Sequence, residues 1–161
     1  MPTRSPTRRD LPGDGPSRPN QRDYQTLAGF RFLLRRFLGF SEAAARSAGL
    51  KPQQHQALLA IKGFPGGAEV TIHDLAAQLC IRHHSAVELV DRLVESGLVV
   101  RRHDPADRRH VLLDLTVAAE RRLADLSTTH LDELRRLRPA LMEILDLVAE
   151  KPQRPVAKRQ G

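Results

Sequence analysis

A mainly α-helical fold carrying one small β-hairpin is what the sequence predicts, on three observations. Apolar residues recur at helical spacing over most of the stretch from Tyr24 to Glu150. Between Leu98 and Thr116 the spacing changes, and two strand-like runs, "LVV" and "HVLLDLT", flank a polar turn. Just before the hairpin, two helical segments are separated only by a short turn at Cys80-Ile81. Helix, turn, helix and then hairpin describe a winged helix-turn-helix lobe, with further helices on either side.

The chain has 161 residues, which suits one domain with extensions. Residues 1–22 hold five prolines and two glycines with little apolar content and read as a disordered basic tail. Residues 151–161 read the same way, leaving a single domain over 23–150. The net charge is +7, and the two tails carry +3 and +4 of it, so the body is neutral. High overall charge is therefore a poor argument for a nucleic-acid partner, and placement within the body has to decide. The tails are either loose termini or basic arms that grip phosphates.

The first helix is expected over 24–48. Leu27, Phe30, Leu34, Phe37 and Leu38 lie on one face, and Leu33, Phe40 and Ala44 widen the stripe. A stripe this broad asks for a second buried surface such as another subunit. A second helix starts at Pro52, a good first-turn residue, and runs to about Lys62. "AEVTI" is expected as a very short strand. Thr71 and Asp74 form a near capping box for the next helix, with Asp in place of Glu or Gln. The helix after the Cys80-Ile81 turn covers about 83–96. It buries Ala86, Leu89, Val90, Leu93 and Val94, and Gly97 ends it. In the hairpin, Val111, Leu113 and Leu115 alternate with His110, Leu112 and Asp114. Thr116 N-caps a long helix with Leu123, Leu126, His130, Leu134 and Leu137 inward. Pro139 breaks or restarts it before a last helix ending near Glu150.

The chemistry sits in "RHHSAVELVDRLVESG" and "RRHDPADRRHVLLDLT". Opposite the apolar stripe of the first lie His83, His84, Val87, Glu88 and Asp91, with Arg82 and Ser85 at its start. Helix N-terminal N–H groups and a serine hydroxyl suit phosphate oxygens. Glu88 could accept from cytosine N4 and Val87 could touch a thymine methyl. The bland alternative is a solvated face with a Glu88–Arg92 pair. In the second stretch, four guanidinium groups surround one tight turn. Arg108 and Arg109 at the tip, with Arg101 and Arg102 at the base, suit phosphate contact and a narrow minor groove. Asp104 and Asp107 could fix the turn or hold an arginine. The candidate DNA contacts are thus Thr71, Arg82, His83, His84, Ser85, Val87, Glu88, Arg101, Arg108 and Arg109.

Residues 24–150 resemble the MarR family of transcriptional regulators. The likeness is densest over "DLAAQLCIRHHSAVELVDRLVESGLVVRRHDPADRRHVLLDLT", which includes the family's D-x-R turn (Asp107, Arg109) and its L-T pair (Leu115, Thr116). The resemblance implies that Arg109 enters the minor groove and that Asp107 buttresses it. It implies a homodimer formed by the first and last helices (24–48 and 117–150), with the DNA-binding lobe over 52–116. It also implies a pocket between these parts for a small phenolic or other aromatic effector. Three departures stand out: Val87 and Glu88 where many members have Thr and Arg, Ala119 for a frequent glycine, and no cysteine in the first helix.

Seven histidines are scattered, and His83-His84 point about 100° apart on a helix, so no metal site is expected. The single cysteine, Cys80, is expected as a small buried hydrophobe and fits a reducing cytosol. Phe37, Phe40 and His55 could line an effector cavity, or serve only core and dimer packing. There is no serine elbow, paired-carboxylate motif or Gly-rich phosphate loop, so no enzyme and no cofactor are expected. No run reaches the roughly 20 apolar residues of a membrane span, and the N-terminus lacks a secretory h-region, so a cytoplasmic protein is expected. The expectation is a dimeric regulator of double-stranded DNA, a repressor released by a small ligand. The rivals are a winged-helix protein-interaction module and a metal or redox sensor on the same fold.

Overall fold

The structure is a computed structural model that describes residues 18–103 and 111–149. Five helices and a hairpin follow in order: α1 (Gln21–Ser47), α2 (Pro52–Lys62), a short 3₁₀ turn (Pro65–Gly67), α3 (Ile72–Gln78), α4 (His83–Glu95), β1 (Val99–His103), β2 (Val111–Leu115) and α5 (Val117–Ala149). The tails and residues 104–110 lie outside the described residues. So do the expectations placed on Asp104, Asp107, Arg108 and Arg109.

α1 starts earlier than its apolar stripe does. Asn20 accepts from the N–H groups of Arg22 and Asp23 at 2.7 and 3.2 Å, and the Asp23 carboxylate accepts from the Asn20 N–H at 2.7 Å. This capping box sets the boundary, whereas the stripe marks only where packing begins. The stripe also splits differently from expectation. Leu33, Phe37, Phe40 and Ala44 are half-buried and Ala45 is buried, while Leu27, Phe30, Leu34 and Leu38 remain exposed.

α5 is one helix of 33 residues, and Pro139 does not break it. Proline forfeits one bond, to the carbonyl of Arg135, and both residues are exposed, so water can satisfy that carbonyl. Beyond the proline, packing on α1 holds the helix. A Cβ on Gly29 would sit 3.3 Å from the Ile144 side chain, so only glycine permits this approach without a shift.

The core lies in the lobe between α1 and α5. Leu58, Leu75, Val90, Leu93 and Val99 are its largest fully buried side chains, supplied by α2, α3, α4 and β1. The hairpin is antiparallel, with Val99 opposite Leu115 and His103 opposite Val111. "AEVTI" forms no strand. It gives a single bridge from Thr71 to Leu112, and the Val70 carbonyl accepts from the Leu113 N–H at 2.8 Å. β2 does not alternate: Leu112 and Leu113 are both buried, and α2 and α3 both pack against this strand.

The turn before α4 corrects another expectation. Cys80 is exposed, with φ of 53°. It ends α3 in a left-handed conformation, with Cys80 N–H bonded to Ala77 O and Ile81 N–H to Ala76 O. The turn needs its backbone shape, and its side chain points away from the core. Among the described residues no helix is long and apolar enough to cross a membrane.

Thr71 closes the capping box of α3, donating to Asp74 Oδ2 at 2.6 Å and accepting from the Asp74 N–H at 3.2 Å. Thr71→Ala should cost about 1 kcal/mol in urea denaturation. A loss within error of zero would contradict this.

Candidate nucleic-acid interface

α4 is held by one face and offers the other. Ala86, Leu89, Val90 and Leu93 are buried, while His83, His84, Glu88 and Asp91 are exposed. Arg82, the residue before the helix, is exposed, and Ser85 and Val87 are half-buried. Val94, expected inward, is 37 % exposed. No side chain caps the helix start, so its first N–H groups point outward beside Arg82, His83 and His84. The Glu88–Arg92 pair of the bland alternative does not form among the described residues. The Arg92 carbonyl accepts from the Ser96 hydroxyl at 2.7 Å, which closes the end of the helix.

The two arginines at the base of the hairpin are engaged by carboxylates. Arg101 donates to Asp91 at 2.5 Å, tying β1 to α4. Arg102 donates through Nε to Asp114 at 2.9 Å and through Nη2 to Glu69 at 2.5 Å, joining β1, β2 and the segment before α3. These two carboxylates hold the Arg102 guanidinium more firmly protonated than usual. Of the four guanidinium groups read from the sequence, Arg102 is therefore a brace of the hairpin. Arg101 is anchored but exposed, and exposed pairs of this kind contribute little, so a phosphate could take Asp91's place. Thr71 is committed to its cap, and the hydrogen bonds of its hydroxyl and backbone hold the Asp74 carboxyl below its usual range.

Behind this surface, between the lobe and the two long helices, lies a cavity of about 840 Å³. Phe37 and His55 line it, while Phe40 is not part of its wall. Phe40 packs edge-on against His130, with ring centroids 5.8 Å apart, and Phe37 does the same at 6.1 Å. His130, expected only as part of the α5 stripe, is central. Its ring lies 4.6 Å from that of His55, with a 32° tilt. Its Nδ1 is 2.6 Å from the Leu126 carbonyl and its Nε2 is 2.8 Å from Ser41 Oγ. A histidine at an apolar heptad-like position was the only signal for it in the sequence.

Comparison with known proteins agrees with this geometry. The sequence model described as MarR family matches residues 48–110. A curated relative, an uncharacterized HTH-type transcriptional regulator of Bacillus subtilis named YcgE, is 33% identical over 97 residues. That match spans 60% of this chain and 61% of the relative, so about three fifths of each. Among solved structures, the transcriptional regulator PA4135 is 26% identical with a TM-score of 0.59, covering 86% of this chain and 100% of that one. CouR from Rhodococcus jostii RHA1, bound to p-coumaroyl-CoA, is 26% identical with a TM-score of 0.59, covering 76% and 91%. A mutant of MepR from S. aureus, bound to an oligodeoxyribonucleotide, shares the fold at 18% identity and a TM-score of 0.56, covering 81% and 85%.

Burial, and then the neighbouring His130 ring, lower the pKa of His55 below its usual 6.5. As pH falls, the unfolded chain therefore takes up this proton first, and stability declines from about pH 6.5 downward. His55→Gln removes that contribution. Its loss of stability between about pH 7.5 and pH 5.5 in urea denaturation should be smaller than that of the parent. Equal losses would contradict the assignment.

Proposed function

We propose that this chain, whose winged helix-turn-helix belongs to the MarR family of transcriptional regulators, is a sequence-specific DNA-binding regulator that works as a homodimer. The observation that carries this reading is the disposition of α4. Its apolar face is locked into the core, and its uncapped start and polar face are left to solvent beside a braced hairpin. A helix presented in this way fits the major groove, with its first residues toward phosphates and base edges.

In this reading Arg82, His83, His84 and Ser85 meet the backbone, and Val87 and Glu88 meet the bases. Arg101 follows the adjacent phosphates. Arg108 and Arg109 are assigned to the wing contact in the minor groove by their place in the sequence motif, with Asp107 as buttress. The apolar side chains Leu27, Phe30, Leu34 and Leu38 on α1, with Leu134, Met142 and Leu145 on α5, are each more than a third exposed. They supply the surface for a second copy. Helices 24–48 and 117–150 then form the dimer region and 52–116 the DNA-binding lobe.

Two recognition helices one duplex turn apart, about 34–36 Å, would read a pseudo-palindrome. The cavity at the joint between lobe and long helices is the place for a small aromatic ligand. Such a ligand would release the operator by favouring another spacing of the lobes. A full reversal of populations needs a preference of about 5.5 kcal/mol for the released state.

A duplex selected from a random pool provides the test. Arg109→Ala should weaken binding to it in fluorescence anisotropy and reduce the slope of log affinity against log salt by about 0.9 for one lost phosphate contact. Unchanged affinity and slope would refute the wing contact. A pool that yields no enriched half-site would refute sequence-specific binding.

A further inference from the structure

We infer that Glu88 decides which duplexes this chain accepts: it requires a cytosine at one position of each half-site and turns away guanine and thymine there. The inference rests on the reading of α4 as the helix that enters the major groove, and it names the class of duplex taken.

The geometry of α4 singles this residue out. At about 100° per residue, the buried Ala86, Leu89, Val90 and Leu93 centre on one line, and Glu88 lies within about 30° of the line opposite. It stands in the second turn, close to the end of a recognition helix that meets base edges. The other two carboxylates of the helix are placed elsewhere. Asp91 accepts from Arg101 of β1 at 2.5 Å, and Glu95 lines a small recess with Lys51 and Arg92 at the far end. Glu88 is exposed, and among the described residues no cation bonds to it. Arg92 is the only Arg or Lys within α4, and it belongs to that same recess. The outer ridge of α4 therefore brings an acceptor to the bases, and no guanidinium to take guanine.

A carboxylate only accepts hydrogen bonds. In the major groove guanine shows N7 and O6 and thymine shows O4, and all of these are acceptors that repel it. Donors there are cytosine N4 and adenine N6. Adenine sets the N7 acceptor beside its amine, whereas cytosine has no acceptor on that edge. Cytosine is therefore the base that suits a lone carboxylate. The flanking phosphates repel the same charge, and a duplex without cytosine at this position offers nothing to offset that repulsion. Discrimination then comes in part from destabilising the wrong complexes.

Selection from a random duplex pool with the parent chain, Glu88→Gln and Glu88→Ala tests this. The parent should enrich one cytosine position in each half-site that both variants alter. Glu88→Gln should move that position toward adenine, because an amide bonds both N6 and N7 of that base. Glu88→Ala should leave it without preference while the rest of the half-site stays. In fluorescence anisotropy at one salt concentration, the ratio of affinities for the selected and an unselected duplex should fall at least about tenfold in Glu88→Ala. Circular dichroism confirms that both variants fold. A base other than cytosine at the altered position of the parent's half-site overturns the inference, and so does an unchanged affinity ratio. A half-site that both variants leave as it was sinks only the role of Glu88. A parent that enriches no half-site removes the DNA-binding reading, and this inference with it.

Discussion

Everything in this fold depends on how α4 is seated. Val90 and Leu93 are fully buried with Leu58 of α2 and Leu75 of α3, and Val99 of β1 completes the group. A helix fixed along one stripe can present only the opposite one, so the seating of Ala86, Leu89, Val90 and Leu93 decides that His83, His84, Glu88 and Asp91 face solvent. The end of α4 is equally constrained. Gly97 adopts φ of 65°, which lets the Leu98 N–H return to the Leu93 carbonyl. The Thr116 N–H then bonds to Leu98 O, and the Thr116 hydroxyl donates to Gly97 O at 2.9 Å. One residue thereby caps α5 and closes the hairpin onto the end of α4.

The same economy joins the lobe to the long helices. Lys62 at the end of α2 donates to Glu120 in the first turn of α5 at 2.5 Å, and His55 of α2 stacks on His130 of α5. Phe37 and Phe40 of α1 close on the same imidazole from the other side. Three helices therefore meet at one buried ring. Any molecule that enters the neighbouring cavity bears on α2, which belongs to the lobe, and on α1 and α5, which do not. Interiors of this density transmit such a displacement as a shift of whole elements.

Much of this was legible from residues alone, where one local rule acted by itself. The i, i+3, i+4, i+7 spacing of α4, the Thr71–Asp74 box and the Thr116 cap each set a feature regardless of context. What escaped prediction needed two segments at once. Leu112 is buried beside Leu113 where α2 and α3 both pack against β2, which alternation along the strand could not reveal. α5 runs through Pro139 because Ile144 packs against Gly29, more than a hundred residues away. Arg102 looked like one more cation for a duplex until Glu69 and Asp114 came to it. His130 carried no mark of its role, since only folding brings Ser41, His55 and two phenylalanines to it. Cys80 was read from its residue type, whereas its backbone conformation decided its place.

The central claim is that two copies of this chain occupy one duplex. Sedimentation velocity of the purified chain, mixed at micromolar concentration and moderate salt with a duplex carrying its selected half-sites about 10 base pairs apart, measures this directly. The account predicts a complex of two chains per duplex that forms from a free dimer. A monomer in the absence of DNA, a one-to-one complex, or no complex at all would contradict it.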